Sequence, residues 1–405
     1  MTKPLILILL ALWIPGCSQD ISPERVRQHV QALASDDLEG RGTGTSGEEK
    51  AARYIEKEFK RLKLKPAGDA SGTTYRQPFP FKGGIHGTGT EGKSLNMAAF
   101  LDNGAPHTVI IGAHFDHLGL GQDGNSLDPD PKQKIHNGAD DNASGVAGVL
   151  ELARYFAGGK KESSNILFLC FSGEELGLIG SKYWTEHPTI DIGRANYMIN
   201  LDMVGRFEAA KGLFVSGTGT SPVWETMMKE FSTSELAIKT DSSGTGPSDH
   251  TSFYLKNLPV LHFFTGSHQD YHKPSDDSDK INAEGEAAIL RVIARIVEDR
   301  RTGSKLAFLP TKSKTTVARS AFKVTLGVMP SYTADVSGLR VDGVSEGKPA
   351  KKAGILTGDI ITRIGEEEII DIETYMDALG KFEKGQSVPV MIRRGEKSLT
   401  VTVTF

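Results

Sequence analysis

Apolar and polar positions along this chain fall into two textures. Four short runs, Thr108–Ala113, Asn165–Phe171, Tyr197–Leu201 and Pro259–Phe264, are almost wholly apolar and rich in β-branched or aromatic residues. Near-continuous apolarity over such a length predicts strands buried on both faces. Between the first two, Ala143 to Phe156 repeats apolar residues at helical spacing, and a last long helix is expected from Ala283 to Arg300. Upstream, Ser22-Pro23-Glu24 opens a helix, with a capping residue followed by Pro at the first helical position. Ser46 and Glu49 have the spacing of a capping box ahead of Ala52, Ile55, Phe59 and Leu62. That helix should stop before Pro66 and Gly68. Repeated strand–helix alternation predicts an α/β fold, a mostly parallel central sheet sandwiched by helices.

The texture changes after Gly303. Lys312, Lys314 and Arg319 sit among Ser and Thr with few large apolar residues, which marks a linker over 306–320. Short strands, Gly turns and a helix then make a small α+β unit over 321–405. The first unit is expected over 21–305. The N-terminus stands apart: Lys3, an apolar run from Leu5 to Ile14, then Pro15, Gly16 and Cys17. Ten apolar residues are too few for a membrane span, which takes about twenty. A signal peptide over 1–17 is the expectation, and with it a protein exported to the periplasm or cell envelope. Its Ile-Pro-Gly-Cys end resembles a bacterial lipobox, which would make Cys17 a lipid anchor; a simple cleaved signal is the alternative.

Composition narrows the function classes. A formal charge of −4 over 405 residues offers no bulk basicity for nucleic acid and no acidic tail. Of the two cysteines one belongs to the leader, and Cys170 lies in an apolar strand pattern, where Cys usually packs as a small hydrophobe. No disulfide framework can form.

The chemistry gathers where the predicted strands end. Val109–Ala113 delivers His114 and then Asp116; the run through Phe171 delivers Glu174 and Glu175; the run ending at Leu201 delivers Asp202. Val260–Phe264 leads into a loop with His272, and Asp140 and Asp141 lie in the turn before the helix near Ala143. In open α/β sheets, sites form beyond the carboxyl ends of strands, so these groups can share one crevice. So many carboxylates would repel one another unless divalent cations joined them. Mixed imidazole–carboxylate ligation suits zinc, with manganese or cobalt as substitutes. Coordination acidifies water enough to make a nucleophile near neutral pH, and a free carboxylate beside it can carry the proton to a leaving amine. The pair Glu174-Glu175 offers one carboxylate for each duty.

His114-Phe-Asp116, Gly138-Ala-Asp140-Asp-Asn-Ala-Ser-Gly145, Ser172-Gly-Glu174-Glu175-Leu-Gly, Asn200-Leu-Asp202-Met and Tyr271-His272-Lys-Pro resemble the co-catalytic zinc aminopeptidases. That family includes bacterial leucine-type aminopeptidases and, more distantly, glutamate carboxypeptidase, glutaminyl cyclase and the transferrin receptor. The resemblance runs in order over roughly residues 24 to 300. It implies two zinc ions, one on His114 and Asp202, the other on Glu175 and His272, with Asp140 bridging. It implies Glu174 as general base and Asp116 as the carboxylate that orients His114. Glu39-Gly-Arg41 matches a stretch common in the family but suggests no chemistry. Gly246-Pro-Ser248-Asp249-His250 resembles a segment lining the substrate pocket, so Ser248 and Asp249 are candidates for substrate contact or ligand support; capping a helix is the alternative.

Other polar residues receive plainer expectations. Asp141 is expected to cap the following helix. His117, His136 and His268 are expected to be structural or substrate-facing, and Asp276 to support a ligand. The loop with Asp123, Asp128 and Asp130 is expected to be solvated, with a lid over the site or calcium binding as alternatives. In the second unit, Leu326-Gly327-Val328, Ala353-Gly-Ile-Leu-Thr-Gly-Asp359-Ile-Ile and the helix near Ile372 to Leu379 resemble a bacterial PDZ domain. Such a domain would take a peptide C-terminus by strand addition along Val324–Val328, or else pack only on its neighbour. The combined expectation is a zinc metallopeptidase, an aminopeptidase hydrolysing peptides. Its rivals are a carboxypeptidase or aminoacylase on the same metals, a cyclase, and a non-enzymatic envelope protein that binds peptides through its PDZ domain.

Overall fold

The computed structural model describes residues 20–83, 91–311, 324–330, 336–344, 347–370 and 372–405. The expected leader, Cys17 included, and residues 312–320 of the expected linker lie outside the described residues.

Local signals set the helices. α1 (Pro23–Leu33) starts behind Ser22, whose hydroxyl accepts the Arg25 N–H at 3.4 Å. α2 (Ser46–Arg61) is capped one residue earlier than the Ser46 box predicted. Thr45 accepts the Glu48 N–H, and the Glu48 carboxylate returns to the Gly44 N–H at 2.9 Å. Thr45…Glu48 and Ser46…Glu49 share one spacing, so the pattern carries a one-residue ambiguity that only tertiary contacts resolve. Ser46 bonds Glu39 instead.

The remaining elements of the first unit are β1 (Lys65–Pro66), β2 (Arg76–Lys82), β3 (Glu91–Leu101), β4 (Thr108–His114), α3 (Gly145–Gly158), β5 (Asn165–Phe171), α4 (Ile179–Glu186), β6 (Ala195–Leu201), β7 (Leu213–Ser216), α5 (Trp224–Phe231), β8 (Ile238–Thr240), α6 (His250–Tyr254), β9 (Val260–Phe264) and α7 (Ala283–Glu298). Strand order is β1-β3-β5-β4-β6-β9-β7-β8, with β2 on β3. The central strands β5, β4, β6 and β9 run parallel, whereas β3 joins β5, and β7 joins β9, antiparallel. The apolar runs are thus the parallel centre, and the flanks make the sheet mixed.

Every residue of β4, β5 and β6 is buried. Their side chains alternate between two cores: Val109, Ile111, Phe168 and Ile199 join one, Ile110, Leu167, Leu169 and Met198 the other. Cys170 packs in the first of these, as expected of a small hydrophobe. Chain order matters for function. From β4 the path goes to β5 on one side and then to β6 on the other, so the switch point lies at the carboxyl end of β4.

One buried group on α7 opposes folding at neutral pH. Glu286 is fully buried and neither carboxylate oxygen has a hydrogen-bond partner among the described residues. Burial, with Asp140 as a nearby like charge, holds its carboxyl well above the usual carboxylate range. Near pH 4 both folded and unfolded chains carry the proton; as pH rises the unfolded chain releases it first, and stability drains away. Glu286→Gln should therefore be more stable than the wild type by about 1–3 kcal/mol at pH 8, with a much smaller gain at pH 5. Denaturant titrations at the two pH values check this, and an equal gain at both would refute it.

The second unit forms around β10 (Val328–Pro330), β11 (Leu339–Val344), α8 (Pro349–Lys352), β12 (Ile360–Ile364), β13 (Glu367–Glu368), α9 (Ile372–Leu379), β14 (Ser387–Arg394) and β15 (Lys397–Thr404). Its pairings are antiparallel, in the order β10-β11-β12-β14-β15. Leu326, Ile355, Ile361, Tyr375 and Val390 share its own core. Residues 306–311, expected as linker, are tied to the first unit: the Leu306 N–H bonds Asn196, and the Thr311 N–H bonds the Tyr254 hydroxyl at 3.0 Å.

Candidate active site

Three strand ends and two loops converge on one cleft of about 390 Å³, whose wall includes His114, Asp141, Glu174, Asp202 and His272. His114 is the last residue of β4, Asp202 follows β6, and Glu174-Glu175 follow β5 behind Gly173, whose φ of +71° turns the chain upward. The Glu174 N–H donates to Asp116 Oδ1 at 3.2 Å, and Ser172 donates to Glu48, which anchors this turn from below.

Both imidazoles are oriented by their Nδ1 atoms. His114 donates Nδ1–H to the Asp116 carbonyl at 3.2 Å, with the Asp116 carboxylate at 3.7 Å. Thr43 donates to that carboxylate at 2.8 Å. Asp116 thus steers His114 through its main chain more closely than through its side chain. His272 donates Nδ1–H to the Asn125 carbonyl at 3.0 Å, while Leu127 and Ser126 bond the His272 carbonyl. The loop that carries Asp123, Asp128 and Asp130 thus clamps His272. With Nδ1 engaged, each Nε2 is left to face carboxylates.

Those Nε2 atoms locate the central residue, and it is Asp141. His114 Nε2 lies 3.4 Å from Asp141 Oδ1 and 3.4 Å from Asp202. His272 Nε2 lies 3.3 Å from Asp141 Oδ2 and 3.1 Å from Glu175. The two oxygens of Asp141 therefore face two separate groups. Asp140, expected to bridge, is turned the other way: its Oδ1 accepts the Gly205 N–H at 2.7 Å and the Ser144 hydroxyl, and its Oδ2 faces His268 at 3.2 Å. The bridging assignment moves to Asp141, and the helix-cap role expected of Asp141 falls away. Asp276 holds the pair in place, accepting the N–H groups of both Asp140 and Asp141 while Arg206 bonds its other oxygen.

His117, expected to be structural or substrate-facing, lies 2.7 Å from Glu175 Oε1 and 3.8 Å from Asp141. Ligand-capable atoms cluster in two sets, His114 with Asp141 and Asp202, and His117 with Asp141 and Glu175. His136 is structural, bonded to Ser126 and the Lys134 carbonyl. Ser248 donates to Asp202 Oδ2 at 2.7 Å and does not cap α6. Asp249 is fully buried behind the cleft, off its lining, where burial pushes its carboxyl up to about 7.

Charge in the cleft is organised for cations. Burial alone would strip His114 of its proton, but Glu174 and Asp202 outweigh it and hold its pKa well above the usual value. His272 is raised against burial in the same way by Glu175 and Asp141. Burial pushes Glu174 well above the carboxylate range, with Glu175, Asp202 and Asp249 adding to it. Divalent cations relieve this crowding by taking the place of the imidazole protons, so the donor set fits zinc.

Arg41 is the residue whose sequence motif suggested no role. It is buried and donates to the carbonyls of Phe115, Leu33, Asn137 and Gly138, which ties the His114–Asp116 turn to the Asp140–Asp141 turn. Burial pulls its guanidinium down to about 10, still charged at neutral pH. Arg41→Met leaves four carbonyls without this donor and should cost about 3 kcal/mol or more of stability, together with zinc affinity. Thermal unfolding and chelator competition measure both, and a loss under about 1 kcal/mol would remove Arg41 from this role.

Residues 96–297 match peptidase family M28 and residues 322–405 match the PDZ domain, so the chain belongs to peptidase family M28 and carries a PDZ domain. It is 28% identical over 268 residues to leupeptin-inactivating enzyme 1 of Streptomyces exfoliatus, covering 64% of this chain and 53% of that one. To aminopeptidase YwaD of Bacillus subtilis it is 30% identical over 192 residues, covering 44% and 38%. The chain thus spans about half, or less, of the length of these relatives. Among solved structures, a Zn-dependent exopeptidase from Parabacteroides distasonis has the same fold, with a TM-score of 0.55 at 19% identity over 69% of this chain and 99% of that one.

Proposed function

We propose that this chain is a two-zinc aminopeptidase that removes N-terminal residues from peptides. The observation that carries the reading is Asp141, set between the inward Nε2 atoms of His114 and His272 with Glu174 beside it. His114, Asp141 and Asp202 would hold one ion, and Asp141, Glu175 and His272 the other. When bound, zinc acidifies water and polarises a carbonyl.

The chain's own residues do the rest. Glu174, on the cleft wall and free of metal duty, takes the proton of the attacking water and returns it to the leaving amine. Asp116 and Asn125 fix the imidazole tautomers, and Ser248 holds Asp202 in place. Aminopeptidase YwaD of Bacillus subtilis, among the relatives, supports cleavage at chain ends over mid-chain bonds.

The test compares a peptide with its N-acetylated form, with and without a chelator. Cleavage of the free peptide alone, abolished by chelation and restored by zinc, is expected; equal cleavage of the blocked peptide would overturn the aminopeptidase reading. The leader-like start and Cys17 support export and envelope anchoring by lipid, which labelled fatty acid uptake by the wild type but not by Cys17→Ser would test. The PDZ domain supports capture of a peptide C-terminus along Val324–Val328.

A further inference from the structure

β9, the neighbour of β6 in the sheet, also walls the cleft. Its strand alternation places His262 and Phe264 on the same face, and both line the cleft with Met203 and Pro247. Such a wall could have been wholly apolar. Instead it contains one imidazole, and the structure fixes which way that ring is protonated.

The His262 ring is held flat. His250 stacks on it at 4.5 Å and 6° between planes, and Phe264 lies nearly parallel at 6.1 Å and 16°. Its tautomer follows from a chain of hydrogen bonds starting at Asp202. The Asp202 carboxylate only accepts, so the Ser248 hydroxyl spends its single proton there, at 2.7 Å. Ser248 Oγ must then accept from Asn200, which turns the Nδ2 of that amide towards it, at 2.7 Å. The same Nδ2 reaches His262 Nδ1 at 3.2 Å, and an amide nitrogen can only donate. His262 Nδ1 is therefore the acceptor and Nε2 carries the hydrogen. No hydrogen bond occupies that Nε2 among the described residues, nor is it one of the sealed, unpartnered atoms. The N–H is a donor on the cleft wall awaiting an acceptor.

We propose that the Nε2–H of His262 is a specificity determinant, selecting peptides whose N-terminal side chain carries an uncharged hydrogen-bond acceptor over near-isosteric aliphatic ones. The inference rests on the aminopeptidase reading above and deepens it. A hydrocarbon side chain placed here strips the donor of water and returns nothing, whereas an amide carbonyl or hydroxyl replaces the lost water. The contacts of Phe264, Met203 and Pro247 are shared by both kinds of side chain and do not discriminate between them.

The experiment uses the full chain loaded with zinc and two near-isosteric substrate pairs, N-terminal Asn against Leu and Thr against Val, on one peptide. The readout is the ratio of kcat/KM within each pair, which a general loss of activity or stability leaves unmoved. His262→Phe, which keeps the stack and removes the donor, is expected to lower the Asn/Leu and Thr/Val ratios by about 10-fold relative to the wild type. His262→Gln, which offers an amide donor, is expected to restore part of each ratio. Should His262→Phe fail to fold, His262→Leu replaces it in the same comparison. Ratios within twofold of the wild type in the donorless variant overturn this inference and leave the aminopeptidase reading standing. Failure of the wild type to cleave any free N-terminus overturns both.

Discussion

Glu174→Gln is expected to lower kcat by about 10²–10⁴-fold while leaving zinc content and KM close to those of the wild type. The carboxylate sits on the cleft wall but belongs to neither ligand-capable cluster, so the amide removes a proton carrier and leaves the metal donors untouched. Its replacement also relieves a crowded set of acids: Glu175, Asp202 and Asp249 all push the Glu174 carboxyl upward. The variant should therefore be no less stable than the wild type, which separates a chemical defect from a folding one. Retention of more than about a tenth of the activity would remove Glu174 from proton transfer.

The second large effect separates two adjacent residues. Asp141→Asn is expected to lower kcat/KM by about 10²-fold or more, and Asp140→Asn by far less. The first puts an amide nitrogen in place of one of the two oxygens that face the imidazoles and removes the negative charge between them. The second keeps an acceptor for the Gly205 N–H and places an amide against His268. Kinetic assay of the two variants on one peptide decides the matter, since the reverse order would return the bridge to Asp140.

That pair shows where sequence reading reaches its limit. The strands of the parallel centre were legible because burial on both faces demands continuous apolar runs, and Thr108–His114 or Asn165–Phe171 cannot be confused with anything amphipathic. Strand ends then placed His114, Glu174, Glu175 and Asp202 at one edge. What a strand end cannot say is which of two neighbouring carboxylates turns inward. Asp140 and Asp141 share composition and loop, and their directions are set by distant partners: Gly205, Ser144 and His268 for one, the two imidazoles for the other. Thr45 and Ser46 pose the same problem at the start of α2. The antiparallel flanks of the sheet, the Asn125 clamp on His272 and the reach of Arg41 to four carbonyls are likewise long-range facts. His117 shares the strand-end turn of Asp116, and that position carries it to Glu175. Asp249, a candidate for substrate contact, proves to be interior, since a residue opening a short helix can face the core as readily as a cleft.

The account turns on a site with two cations joined by one carboxylate, and counting the metal tests it most directly. Purified protein stripped by a chelator is titrated with zinc, and bound metal is measured per chain by elemental analysis after removal of the free ion. The account predicts two tightly held zinc ions in the wild type and in Asp140→Asn, with Asp141→Asn losing at least one of them under the same conditions. One ion in the wild type, or two held undiminished by Asp141→Asn, would contradict it.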